Sequence, residues 1–167
     1  MDEQHGRHRR VSLGRLLIWA LLAAVALCLP ASELVSAEER LLRVFDASTG
    51  RPKTTFTVEI ALTDEEQIRG LQGRDSLQPG SGMLFLYPEA TPQAFWMKDV
   101  LMPLDIVFAD GQGRITEVLE QLPPCLGPVA HCPSYRSRSP ARYVLEISAG
   151  QASARGLRLG DRLELAP

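Results

Sequence analysis

Between Gly82 and Asp105 the chain reads Gly-Met-Leu-Phe-Leu-Tyr-Pro, then Phe95-Trp96-Met97-Lys98-Asp99, then Met102-Pro103-Leu104-Asp105, and it stays apolar to Phe108. Three closely spaced segments, apolar at nearly every position, fit strands covered on both faces better than strands with one wet side. A lysine and two aspartates interrupt them at the junctions. Such a stretch builds either a core hairpin or the wall of a pocket.

The flanking sequence supplies neighbours for these strands. Residues 41–45 read as a short strand ended by the turn chemistry of Asp46-Ala47-Ser48-Thr49-Gly50-Arg51-Pro52. Residues 55–62 alternate, with Phe56, Val58, Ile60 and Leu62 on one face. Thr63-Asp64-Glu65-Glu66 is a capping box that predicts a helix to about Leu71, with Ile68 and Leu71 toward the core. Residues 83–87, 95–98, 104–108, 114–119, 142–147 and 162–165 complete the predicted strands, and a second short helix is predicted over 149–155. Strands divided by tight turns, with one or two short helices, predict a mainly β fold: an antiparallel sandwich or small barrel rather than an alternating βα fold.

The first 37 residues read as an address. Arg7, Arg9, Arg10 and Arg15 precede an apolar run from 16 to 29, and Val35-Ser36-Ala37 offers small residues for a signal peptidase. A cleaved signal peptide is the first reading. An uncleaved membrane tether through residues 11–29 is the second. Either way, residues 38–167 form a single domain that is extracytoplasmic: periplasmic, secreted or membrane-anchored. The net charge of −2 offers no basic field for nucleic acid, which excludes that class of partner.

Cys125 and Cys132 flank a loop rich in proline and glycine. In an oxidising compartment two cysteines so close form a disulfide. The competing arrangement, with Cys125, His131 and Cys132 as metal ligands, lacks paired C-x-x-C spacing and a fourth ligand. No metal and no cofactor is expected.

Arg69-Gly70-Leu71, Gly82-Met83-Leu84-Phe85, Phe95-Trp96-Met97-Lys98-Asp99, Met102-Pro103-Leu104-Asp105, Tyr143-Val144-Leu145-Glu146 and Gly160-Asp161 together resemble the domain-of-unknown-function family numbered 192. The resemblance runs from about Val44 to Leu165 and implies a compact, mainly β domain, often exported or membrane-tethered, with no established activity. Gln72-Gly73 replaces the Met and aromatic residue that members often carry after Gly-Leu, and the cysteine pair is absent from many members.

Pairing 95–98 with 104–108 as a hairpin would set Lys98 opposite Asp105 and Trp96 opposite Val107, on the face away from Phe95, Met97, Ile106 and Phe108. That face, with Glu146 and Arg69 as further polar candidates, is the predicted ligand-binding site: Trp96, Lys98, Asp105, Glu146 and Arg69. A cross-strand ion pair with no ligand is the plainer reading. The function predicted is a non-catalytic binding module for an envelope component, small molecule or protein partner. The alternative is a hydrolase that pairs Asp105 with Glu146 or Glu59 as acid and base.

Overall fold

The computed structural model describes residues 39–166. The predicted signal or anchor lies outside the described residues, among which no helix is long and apolar enough to cross a membrane. Nine strands follow in chain order: β1 (Glu39–Phe45), β2 (Pro52–Ala61), β3 (Ser81–Thr91), β4 (Ala94–Phe95), β5 (Leu104–Ala109), β6 (Ile115–Leu122), β7 (Tyr135–Arg136), β8 (Ala141–Ser148) and β9 (Arg162–Leu165). Helix α1 (Asp64–Arg69) lies between β2 and β3, and α2 (Gln151–Ala154) between β8 and β9. The mainly β expectation with two short helices holds.

Seven strands form one sheet in the order β6-β5-β8-β3-β2-β1-β9, and β4 and β7 make a two-stranded ribbon. The large sheet is mixed and does not close into a barrel. All its pairs are antiparallel except β2–β3. Parallel neighbours need a long crossover, and residues 62–80, with α1 inside them, provide it. The two sheet edges meet at one corner. There Arg114 bridges Arg162, and the Leu163 amide donates to the Gly113 carbonyl at 2.8 Å. Gly113 has φ +78°, and a Cβ there would collide with the Leu163 carbonyl oxygen.

Period-two alternation divides the interior into two cores, one on each face of the sheet. Phe56, Val58, Leu84, Val107, Leu145 and Ile147 belong to the first. Phe85, Phe95, Met97, Ile106, Phe108 and Val144 belong to the second. Strand β5, flanked by β6 and β8, is buried at all six positions, as a run apolar everywhere but Asp105 requires.

The predicted 95–98/104–108 hairpin does not form. β4 is only two residues long and pairs with β7, Lys98 bridges Cys125, and β5 lies between β6 and β8. Asp99 adopts a left-handed φ of +56°, and Pro103, without an amide donor, stands just before β5; this connection turns the chain away instead of returning it along itself. The predicted grouping of Phe95, Met97, Ile106 and Phe108 survives, since all four share the second core.

The capping box at α1 is formed, with the Glu66 amide donating to the Thr63 hydroxyl at 3.3 Å and the Thr63 amide donating to the Glu66 carboxylate at 2.9 Å. Gly70, at φ +46°, ends the helix at Arg69, two residues before the predicted limit. Leu71 is buried as expected, whereas Ile68 points outward and is 65% exposed. A Cys125–Cys132 disulfide staples the proline-rich loop, and the same loop grips the site segment. The Cys125 amide donates to the Met97 carbonyl and the Asp99 amide to the Cys125 carbonyl, at 2.9 and 3.0 Å.

Candidate functional site

Glu146 lies on β8 between Met83 of β3 and Ile106 of β5, on the second-core face. Its strand is apolar on both sides, so the carboxyl is carried into the interior by the burial of its neighbours. Only 3% of the residue is exposed. No described residue hydrogen-bonds to the carboxyl, and its oxygens reach the open space of a cavity. Burial alone pushes its pKa up to about 8. At neutral pH the carboxyl is therefore largely protonated and acts as a hydrogen-bond donor.

The cavity above it holds about 60 Å³ of water-sized space. Its walls come from the end of α1 (Arg69, Gly70, Leu71), from β3 (Phe85, Tyr87), and from Phe95, Trp96, Lys98 and Val100. Phe95 packs edge-on against Phe85 and Phe108, at 4.9 and 5.9 Å between ring centres, which fixes the inner wall. Tyr87 has its phenol pushed up to about 12, first by burial and then by the charge of Glu146. The Tyr87 hydroxyl has no hydrogen-bond partner among the described residues. Trp96 is 42% exposed at the mouth. Beside the cavity, and sharing Gln67, Ile68, Tyr87, Ala94 and Trp96 with it, runs a shallower groove of about 300 Å³.

Four of the five predicted site residues line this cavity: Trp96, Lys98, Glu146 and Arg69. Lys98 forms an ion pair with the adjacent Asp99, not with Asp105. Arg69 is exposed at the rim, where its charge bears on Glu66. Asp105 is apart from the group. It faces the first core, fully buried, and accepts from the Gln121 and Ala152 amides at 2.9 Å each. The second of these bonds caps α2, whose own N-cap, Gly150, has no side chain to do so. Asp105 is thus a structural brace, and the expected Lys98–Asp105 face is not formed.

Tyr87 was absent from the predicted set. Its period-two spacing from Met83 and Phe85 placed it on their face, but nothing in the sequence marked its hydroxyl as unpartnered. Glu59, on β2, is held by a two-pronged contact from Arg74, one prong at 2.6 Å. A wider depression near Leu157 and Leu159 contains Glu117, which Arg138 engages through an amide at 2.9 Å and an ion pair at 3.2 Å. In neither place is the carboxylate unpartnered. Among the described residues no cluster of three His, Cys, Asp or Glu side chains is placed to hold a metal ion.

The fold and site together define a mainly β domain with one acid-floored cavity set between a short helix and a disulfide-stapled segment. The chain belongs to the DUF192 family, described as an uncharacterized ACR, which residues 45–165 match. A crystal structure from Sinorhizobium meliloti 1021, described as that of a candidate transcription regulator, is similar at 34% identity and a TM-score of 0.69, over 78% of this chain and 96% of that one. A protein of unknown function from Novosphingobium aromaticivorans DSM 12444 is similar at 29% identity and a TM-score of 0.68, over 79% of this chain and 89% of that one. A comparison with curated proteins finds no match.

Proposed function

We propose that this domain is an extracytoplasmic, non-catalytic binding module that takes a small molecule or a fragment of an envelope component into the cavity between α1 and residues 94–98. The observation that carries this reading is Glu146, a buried carboxyl with no hydrogen-bond partner among the described residues, whose oxygens open onto a cavity edged by a half-exposed tryptophan. A ligand seated in that space can take up the hydrogen bonding that no described residue gives the carboxyl. The disulfide supports an oxidising location. A nucleic-acid partner, which the description of the Sinorhizobium protein would suggest, draws no support from a chain of net charge −2.

A carboxylate-pair hydrolase is less well supported. Glu146 and Asp105 lie on opposite faces of the sheet, with both Asp105 oxygens engaged by backbone amides, and Glu59 is held by Arg74. A lone acid in a small cavity suits recognition better than a reaction that needs both an acid and a base.

The test is a thermal-shift screen of soluble envelope fragments and small organic acids, amides and amines against the full chain, repeated with Trp96→Ala and Glu146→Leu. At least one compound class should raise the wild-type Tm, and the rise should vanish in both variants. No stabilising compound, or stabilisation that survives both substitutions, refutes the proposal.

A further inference from the structure

Resting on that reading, we propose that the cavity recognises an anionic oxygen, the carboxylate of a small organic acid, gripped by the hydroxyls of Glu146 and Tyr87. The two groups reach the same cavity from neighbouring strands, Glu146 on β8 and Tyr87 on β3. Neither side-chain oxygen has a hydrogen-bond partner among the described residues. At neutral pH Tyr87 carries its proton as any phenol does, and Glu146 does so because it is buried. The floor therefore presents two O–H donors whose protons no described residue accepts, and with Arg69 and Lys98 in the same lining a negatively charged acceptor suits it better than a cation. Paired hydroxyl donors in a water-poor site are the arrangement that stabilises an oxygen bearing negative charge.

The other charged side chains that line the cavity itself agree with an anion, while Asp64 stands on the adjoining groove. Arg69 and Lys98 are the cationic residues of its lining, and apart from Glu146 the lining contains no carboxylate. Lys98 is already partnered by Asp99 and Arg69 lies near Glu66, so both act as rim charges that steer a ligand rather than as its floor contacts. The phenol of Tyr87 is the titratable group whose pKa responds to the charge of Glu146. The cavity, at about 60 Å³, admits a small planar group, while the apolar body of the ligand rests against Trp96 and Ile68 in the adjoining groove. Ionisation of Glu146 removes one donor and adds a negative charge facing the bound anion. Binding is therefore strong while the carboxyl keeps its proton and weakens as pH rises past about 8.

Benzoate, benzamide and benzylamine are probes of nearly equal shape that carry an anion, a neutral amide and a cation. The full chain with Trp19→Phe leaves Trp96 as the sole tryptophan, so its fluorescence reads the mouth of the cavity. Benzoate should bind tightest of the three at pH 6, and its affinity should fall by up to tenfold per pH unit above 8. Tyr87→Phe should weaken benzoate on the order of tenfold, the worth of one hydrogen bond to a charged group. Glu146→Gln keeps an N–H donor that cannot ionise, so it should retain binding and lose the decline above pH 8. Tighter binding of benzamide or benzylamine would overturn the carboxylate assignment while leaving the cavity a binding site. Benzoate binding indifferent to Tyr87→Phe would also overturn it. No response of Trp96 to any of the three would overturn it and the binding-module reading together.

Discussion

Glutamine at position 146 isolates the energetic consequence of burying that carboxyl. In the unfolded chain the group ionises near pH 4.5, and in the fold near 8. Between those values the folded protein holds a proton that the unfolded chain has released. Stability is therefore greatest below pH 4.5, falls as pH rises through the window, and stops falling above 8. The limiting slope is about 1.4 kcal/mol per pH unit. Integrated from pH 5 to 8 with these two pKa values, the loss is about 3 kcal/mol. Asp46, held low by Ser48 and Thr49, and Glu66, held low by the amides of Thr63 and Leu62, titrate below this window, and Tyr87 titrates above it. Glu146→Gln preserves size and removes the proton. Urea unfolding of both proteins at pH 5, 6, 7 and 8, in the Trp19→Phe background and followed by Trp96 fluorescence, reads the difference directly. The parent should lose stability across the series relative to the glutamine variant, by about 3 kcal/mol in total. Parallel pH profiles for the two proteins would show that the carboxyl is ionised or well solvated in the fold, and would refute the reasoning.

Three further outcomes are expected. Asp105→Ala should destabilise by roughly 3 kcal/mol, because it leaves the buried Ala152 amide and the part-buried Gln121 amide without an acceptor; a loss under about 1 kcal/mol in a denaturant titration would contradict its bracing role. Replacing Cys125 and Cys132 together by serine should cost about 2 kcal/mol for so short a closed loop, and it should broaden the amide signals of Met97 and Asp99, which the loop holds; unchanged stability would contradict this. Gly113→Ala should cost about 2 kcal/mol or more, since a Cβ there meets the Leu163 carbonyl and the backbone is left-handed; a neutral effect by thermal unfolding would show that the sheet corner is slack.

Most strands were legible because burial writes a short-range pattern. Phe56 and Val58 share a buried face as their alternation predicted, and β5 is buried along a run apolar everywhere but Asp105. Glu146 stood out for the same reason, as a charge-bearing residue in an apolar strand. Partner choice between strands was less legible. Period two fixes which side chains share a face, but not which strand lies alongside. Thus Phe95 and Met97 were correctly grouped with Ile106 and Phe108, although their segments do not pair. Asp105 was misread because its role depends on two amides, at Gln121 and Ala152, distant in the chain. Ile68 was placed inward by helical spacing, yet so short a helix turns it toward the groove. Tyr87 joined the site only once the fold showed its hydroxyl to be without an acceptor.

The placement of β9 has a consequence for the order of events in folding. The last strand pairs with the first described one, Leu42 against Leu165 and Phe45 against Arg162, and also supplies the contact that closes the sheet corner at Gly113. Joining the two ends of a domain closes the largest loop available to it, so this pairing carries a large entropic cost and tends to come late. Until residues 162–165 arrive, β1 presents an open edge to solvent and to other chains. Any machine that handles the polypeptide from its N-terminus, ribosome or translocase, therefore holds an unfinished sheet until residues 162–165 have emerged.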